Sequence, residues 1–571
     1  MARFPVEHEI QQAVQLLVYR YKVPYAMLQN LVGKSHFEQL HTTLQAFGEE
    51  ALSSQSLARL LIIQRGSELF VGSKESTREL RLYLLRQLTK EQLQALYERN
   101  PSSTQNITSI THMARPLAKK KWIAGNKWAR DFVTTLAFPF IFAGIPRDRA
   151  ERIEAVIDIE PHKRIPPLVA YQEDLKTRML EVLNKEQERT RCIVTLPTGG
   201  GKTRIAVESF IDWLQPRFAQ GKYMIWIAQG EELCEQAISC IADMWQEREF
   251  TSALRVYRYF GASSLDVDDL IGGVVVASIQ QIVSRIDRHD PVIEEILRQC
   301  GAMIIDEAHH ATAASYHKLI ERAKLVVGEQ LFPICGLTAT PGRAMDQTGR
   351  LVEQFQANLI QPTLPQKPEY IQNPLLYFQQ EGYLAKPTYL LYKDEPIEWD
   401  GELFIDGDIS TAFLLDLANN HSRNMKIIDY MLGLPEASSV LVYACTVEHA
   451  EFLTTVFNSI GKKAACISSK TSKALRRMHI QAFKRKEIQY LFNYGVLTTG
   501  FDAPKVDHLL ICRPTSSHVL YEQMVGRGLR GPRFGGTEHC QIVDFSSNIQ
   551  THGQPLAYER FTTEWKELSN E

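Results

Sequence analysis

Cysteine is missing from the first 190 residues of this 571-residue chain, and the nine that follow are an odd number with no C-x-x-C pair. That excludes a disulfide framework and a zinc finger, and it leaves most of the cysteines as small core side chains. Long hydrophobic runs are missing too. The longest apolar stretch, FVTTLAFPFIFAGI over 132–145, has 14 residues and contains Pro139, short of the roughly 20 needed to span a bilayer. It reads as a buried core segment. The opening MARFPVEHEIQQ has no apolar signal-peptide region, so the expected setting is cytoplasmic with no membrane partner. Neither sign of charge dominates, with 64 Lys and Arg against 66 Asp and Glu. The balance hides an asymmetry: residues 1–150 hold 20 basic and 12 acidic side chains, the remainder 44 and 54. This points to an anionic partner for the N-terminal part.

What is present is ordinary soluble material, 44% apolar and 23% charged, in a chain too long for a single core. Residues 1–155 carry helical apolar periodicity, as in IQQAVQLLVYRY and TRELRLYLLRQLTKEQLQALYER, with a hairpin expected in LLIIQRGSELFVG. Short helices plus a hairpin would make a basic, winged-helix-like domain for targeting or for docking a protein partner. From about 160 the texture changes. CIVTL, MIWIA, GVVVAS, AMIIDEA and PICGLTAT read as parallel strands buried on both faces and alternating with helices. The Pro- and Gln-rich LIQPTLPQKPEYIQNP over 359–374 reads as a connector. Beyond it, SVLVYA, KAACIS, QYLFNYGV, HLLICRP and HCQIVDF resume the alternation. The expected fold class is therefore α/β: two tandem doubly wound parallel-sheet domains, 160–362 and 375–571, behind a mostly helical domain, 1–155.

LPTGGGKT, residues 196–203, follows the first of these strands. The strict phosphate-loop pattern wants Gly where Leu196 stands, so this stretch alone does not separate a phosphate cradle from a flexible turn. About 100 residues later IIDEAHH closes another strand. Its acidic pair suits a nucleotide-bound cation, with Asp306 to hold the metal and Glu307 to orient or deprotonate the attacking water. Taken alone the pair would be a solvated acidic turn. Beside a Gly-Gly-Gly-Lys-Thr loop it is chemistry.

LPTGGGKT, DEAHH and LTATP (337–341), followed by VLTTGFDAP (496–504) and YEQMVGRGLRG (521–531), resemble in this order the motor core of superfamily 2 helicases of the DEAD/DEAH-like class. Within that superfamily the likeness is to bacterial RadD-type repair helicases and to the helicase subunits of restriction enzymes, and it covers roughly 165–545. The resemblance implies two RecA-like domains with ATP and Mg²⁺ between them. Its first motif has a Pro-Thr-Gly loop, so Leu196 is no defect. Pro197, Thr198, Gly199, Gly200 and Gly201 would wrap the phosphates, Lys202 would neutralise them, and Thr203 would join Asp306 around the metal. Gln172, in LVAYQEDL, would contact adenine, although Val169 stands where the family often has Arg. Gly500 and Asp502 would touch the nucleotide from the second domain. Gln523, Arg527 and Arg530 would complete catalysis, the two arginines sharing a helix face as fingers inserted across the cleft. Thr338 and Thr340 would couple the nucleotide site to motion.

By family position, Gln236, Ser278, Gln280, Thr446, Thr498 and Thr499 would contact a nucleic-acid backbone, since hydroxyl and amide groups suit sequence-blind phosphate contacts. Glu231 and Glu232 depart from the pattern by placing negative charge beside that path. RadD-type relatives also carry a cysteine-rich C-terminal region that this sequence lacks, and residues 1–150 match nothing in them. There, RPLAKKKWIAGNKWARD (115–131) interleaves Lys120, Lys121 and Lys127 with Trp122 and Trp128. This is either a surface for phosphate contact and base stacking or a solvated basic face over buried tryptophans. The leading expectation is an ATP-dependent helicase or translocase on single-stranded or duplex DNA, serving repair or defence against foreign DNA. An RNA helicase and a nucleotide-gated clamp that never translocates are the alternatives.

Overall fold

The computed structural model describes residues 4–46, 53–101, 110–144, 156–159, 165–248, 252–261, 263, 265–328, 332–341, 345–392, 403–405, 408–497 and 505–546. Two sheets organise the chain. The first contains β1 (Val156–Ile159), β2 (Arg191–Thr195), β3 (Tyr223–Ala228), β4 (Leu254–Tyr259), β5 (Gly273–Ser278), β6 (Cys300–Asp306), β7 (Ile334–Thr338) and β8 (Leu359–Ile360), in the order β1-β4-β5-β3-β6-β7-β2-β8. Only β1, at the edge, runs antiparallel, pairing with β4. Every residue of β3, β5 and β7 is buried, because helices cover both faces of a parallel sheet. That is why these strands read as continuous apolar runs and not as alternating ones.

The second sheet contains β9 (Lys386–Leu391), then, after a two-stranded ladder of β10 (Phe404–Ile405) and β11 (Asp408–Ile409), β12 (Val440–Tyr443), β13 (Ala464–Ile467), β14 (Tyr490–Asn493), β15 (His508–Ile511) and β16 (His539–Asp544). Its order is β13-β14-β12-β15-β16-β9, all parallel. All ten strands expected from the sequence are present. The connector is partly structured: its first two residues form β8, which pairs with β2, Ile360 enters the core of the first sheet, and Leu364 packs against it.

Among the described residues up to 144 there is helix and no strand, so the hairpin and the winged-helix reading are corrected. LLIIQR belongs to the helix Ser54–Arg65, whose buried Leu57, Ala58, Leu60 and Leu61 follow the helical period. Ser53 caps its start by accepting from the Ser56 N–H, and Gly66 ends it instead of turning a hairpin. Although it precedes the first sheet in sequence, the helical unit packs on the second. Helices Lys34–Ala46 and Ser54–Arg65 lie against Val447–Ser459. One hydrophobic core runs from Leu57 and Phe132 through Leu453 and Phe457. Ser472 Oγ donates to Glu68 Oε1 at 2.9 Å across the same junction.

At this junction His479 stacks on Phe4, with centroids 5.2 Å apart and planes 4° from parallel, while Nδ1–H donates to the Cys466 carbonyl at 3.0 Å. Burial pushes its pKa from 6.5 down to about 4. Above pH 6.5 the ring is neutral in both states and has no effect on stability. As pH falls through the window from 6.5 to 4, the unfolded chain takes the proton first and the folded state loses about 3 kcal/mol. His479→Gln is expected to flatten this part of a Tm-against-pH curve. An unchanged slope would show that another group governs it.

Candidate functional site

The site forms where the carboxyl ends of β2, β7 and β6 lie side by side, the position at which open α/β sheets bind ligands. LPTGGGKT leaves β2 and enters the helix Lys202–Leu214. Gly201 caps that helix at φ +89, and a Cβ there would come 2.5 Å from the Gln172 amide nitrogen, so both conformation and space demand glycine. The helix N-terminus and the loop amides make an anion cradle. Lys202 Nζ donates to the Leu196 and Pro197 carbonyls at 3.0 and 3.4 Å, folded back over the loop it would leave for a phosphate. Burial lowers its pKa to about 8, against the pull of Glu307 and Asp306. Gln172 is buried, its Nε2 donating to the Gly200 carbonyl at 3.2 Å and its Oε1 accepting from the Val169 N–H. Tyr171 donates to the same carbonyl at 2.8 Å. The structure therefore brings Gln172 to the phosphate loop, and both ends of its amide are engaged within the protein.

Asp306 ends β6, and Glu307 follows in the left-handed region at φ 49, ψ 51. A non-glycine residue held there costs of order 1–3 kcal/mol and marks a constrained site. Burial, reinforced by the neighbouring Glu307 carboxylate, pushes Asp306 up to about 7. Burial also opposes charge on Glu307, but the His309 ring, Lys202 and Arg527 outweigh it and hold that carboxyl at about 2. His309, which the sequence reading did not single out, is fully buried. Its Nδ1 is 3.3 Å from Glu307 Oε2 and 3.0 Å from Thr338 Oγ1. Thr338 donates onward to the Thr340 carbonyl at 3.0 Å. A polar chain thus joins DEAHH to LTATP, and the only sequence signal for it was a histidine two places after Glu307.

Two adjacent buried carboxyls, one made hard to ionise by the other, are a donor set that a divalent cation would relieve, so the residues fit Mg²⁺. Thr203 and Asp306 would hold it. Fit to a nucleotide rests on the glycine cradle and on buried polar atoms at the strand and helix ends that lack a partner, Thr195 Oγ1 and Gln523 Nε2.

The second sheet supplies the rest. The helix His518–Gly526 carries the buried Gln523 and stops at Gly526. Arg527 is its C-cap, and Arg530 lies beyond it, bridged antiparallel to Leu384. The expectation that both arginines share one helix face is therefore corrected. Two close approaches end the helix. A Cβ on Gly526 would sit 2.5 Å from Thr198 Cβ, and one on Gly528 would sit 2.5 Å from Cys540 Sγ. The positions still converge. Arg527 lies near enough to lower both carboxyls of the first sheet, and the Arg530 backbone packs on Gly199. Because Gly526 touches the phosphate loop, Gly526→Ala is expected to prise the two sheets apart and lower kcat for ATP about 10²-fold, the cost of a misplacement near 1 Å. Steady-state ATPase rates check this, and an unimpaired variant would remove the tight approach from the mechanism.

Gln236 and Gln280 are exposed. Ser278 and Thr446 are buried N-caps, accepting from the Gln281 and His449 N–H groups, which leaves each hydroxyl hydrogen to donate at a helix start. Glu232 pairs with Arg476 of the second sheet. Thr498, Thr499, Gly500 and Asp502 lie outside the described residues. Base stacking on Trp122 is corrected: Trp122 and Trp128 are buried with Phe70 and Phe132 in the helical core. Lys120 is tied to the Asn100 and Pro101 carbonyls, while Lys121 and Lys127 are exposed.

The family described as the res subunit of type III restriction enzymes matches residues 165–343, and the helicase conserved C-terminal domain matches 423–531. The chain belongs to the superfamily 2 helicases. The first match holds LPTGGGKT, DEAHH and LTATP on the first sheet, and the second holds the arginines, so both halves of this helicase site fall within family matches. IRC3 of Saccharomyces cerevisiae, named as an ATP-dependent helicase, is 28% identical over 66% of this chain and 51% of its own length. The irc3 protein of Schizosaccharomyces pombe, named as a mitochondrial ATP-dependent helicase, is 26% identical over 66% of this chain and 57% of its own. The endonuclease subunit of the type I restriction enzyme EcoKI of Escherichia coli K12 is 22% identical over 63% and 33%. The helicase chain spans about half the length of the yeast relatives it matches. Among the described residues no helix is long and apolar enough to cross a membrane.

Proposed function

We propose that this superfamily 2 helicase hydrolyses ATP at the split site and uses the opening and closing of its two sheets to move along DNA. The observation that carries the reading is the approach of Arg527, from one sheet, to Lys202, Asp306 and Glu307 of the other. A site assembled from two bodies is complete only when they close, which makes nucleotide state and domain position one variable. Lys202 would leave the loop carbonyls for the terminal phosphates, Glu307 would take the proton of the attacking water, and Arg527 and Arg530 would meet the charge developing on the γ-phosphate. A divalent cation, when bound, would neutralise phosphate charge beside them. Gln172, in contact with the loop, would report an adenine base to it.

DNA is favoured over RNA by the likeness to restriction-enzyme helicase subunits. Gln236, Gln280, Ser278 and Thr446, with Thr498 and Thr499, are the proposed backbone contacts, and the exposed Lys121 and Lys127 extend them onto the helical unit. A role in repair or defence, a cytoplasmic setting and protein partners of the helical unit belong to the same proposal. ATPase rates with single-stranded, duplex and forked DNA and with RNA, each read with strand displacement, test it. DNA is expected to stimulate turnover and RNA is not, and Lys202→Ala is expected to abolish turnover. Surviving ATPase in Lys202→Ala would sink the assignment. Stimulation by RNA alone would favour an RNA helicase, and turnover indifferent to every nucleic acid would favour a clamp.

A further inference from the structure

The helical unit and the second sheet do not close fully on each other. Between them lies a cavity of about 400 Å³, a size that holds small organic ligands. It shares no lining residue with the nucleotide cleft. Among its lining residues, Ser67 Oγ and Gln64 Oε1 are buried without a hydrogen-bond partner, and Ser67 is only 1% exposed. Glu451, on the helix Val447–Ser459, faces the same space. Burial raises its carboxyl above the usual range even though Lys470, Lys74 and Arg65 act in the opposite direction. Buried polar groups left without partners are costly, and a ligand that donates to the Gln64 oxygen and to the Ser67 hydroxyl oxygen removes the cost. Arg65 is not available for this, since it donates to the Leu69 and Leu31 carbonyls and to Thr77. The mouth has the opposite character. Lys74 and Lys470 are exposed there, Lys470 paired with Glu448 at 2.8 Å. The stacked rings of Phe4 and His479 form an aromatic wall.

We propose that this cavity is a second nucleotide site, distinct from the motor cleft, that takes a guanine nucleotide with its base edge on Glu451, Gln64 and Ser67 and its phosphates on Lys74 and Lys470. Guanine presents adjacent N–H donors, N1–H and N2–H₂, and so matches a carboxylate flanked by further acceptors. Adenine turns a ring-nitrogen acceptor toward the carboxylate, and cytosine and uracil flank their donors with acceptors. The site joins Gln64, Ser67 and Lys74 of the helical unit to Glu451 and Lys470 of the second sheet, so a bound nucleotide would tighten that junction and stabilise the folded chain.

The test uses the full chain carrying Lys202→Ala, to suppress the motor site, with titration calorimetry and melting temperatures against GMP, GDP, AMP, CMP and UMP. GDP and GMP are expected to bind and raise Tm, with the other nucleotides at least about tenfold weaker. Glu451→Gln and Ser67→Val, each added to Lys202→Ala, should weaken GDP by about tenfold or more. In the otherwise native chain both should leave ATPase activity without GDP unchanged. Absence of guanine-nucleotide binding, equal binding of all bases, or a guanine preference that survives Glu451→Gln would each overturn the proposal. If Ser67→Val fails to fold, as a melting curve without nucleotide would reveal, the isosteric Glu451→Gln decides alone.

Discussion

Replacing Glu307 with Gln is expected to lower kcat for ATP hydrolysis by about 10²–10⁴-fold, the range for loss of a general base, while ATP still binds. The left-handed backbone at Glu307 (φ 49) aims the side chain away from the ordinary course of a strand end, beside Asp306 and toward His309 and Lys202. The glutamine amide fills the same volume and can still meet the His309 ring, so the polar chain to Thr338 is kept. What is lost is a carboxylate held ionised at about 2 by His309, Lys202 and Arg527 against the pull of burial. Lys202 and the loop glycines, the proposed phosphate ligands, are untouched. Single-turnover hydrolysis together with nucleotide retention on the protein measures the two effects separately. A variant that turned over normally would remove Glu307 from the chemistry and leave it a structural turn.

Arg527→Ala is expected to cost more, about 10³-fold or beyond in kcat, with a smaller change in ATP affinity. Arg527, carried beside the second sheet, acts on Lys202, Asp306 and Glu307 together. Its charge matters most when the γ-phosphate carries most charge, that is in the transition state and not in the bound ground state. Arg530 stands differently: its backbone is fixed against Gly199 and Leu384, so part of its role is to seat the sheets on each other. Arg530→Ala should therefore also lower kcat, and by less. Equal losses of kcat and affinity in Arg527→Ala would mean that it binds substrate without favouring the transition state.

The core strands and the motif order were legible because both arise from local constraints. A strand buried on both faces has to be apolar throughout, and CIVTL, MIWIA and GVVVAS are. A phosphate cradle needs glycine, lysine and a hydroxyl within a few residues, and LPTGGGKT supplies them. Read in order with DEAHH, LTATP and QMVGRGLRG, these local signatures determined by themselves a two-sheet α/β helicase, and they carry the proposal of a nucleotide site split between the sheets.

Tertiary structure decided the rest, because it depends on which surfaces meet. LLIIQRGSELFVG sets two apolar runs about a polar, glycine-containing segment, well enough for a hairpin, and packing against the helix Val447–Ser459 goes with helix instead. Trp122 and Trp128 sit among lysines in the sequence as a stacking surface would. The aromatic core of Phe70 and Phe132 takes them inside. Arg527 and Arg530 are spaced for one helix face, but the helix stops at Gly526, ahead of both, where the chain meets Thr198 of a loop more than 300 residues away. The helical unit opens the chain, yet it belongs to the second sheet. Side-chain periodicity records that a face is buried and does not record what buries it, so sequence could specify each piece and only the packed chain could pair them.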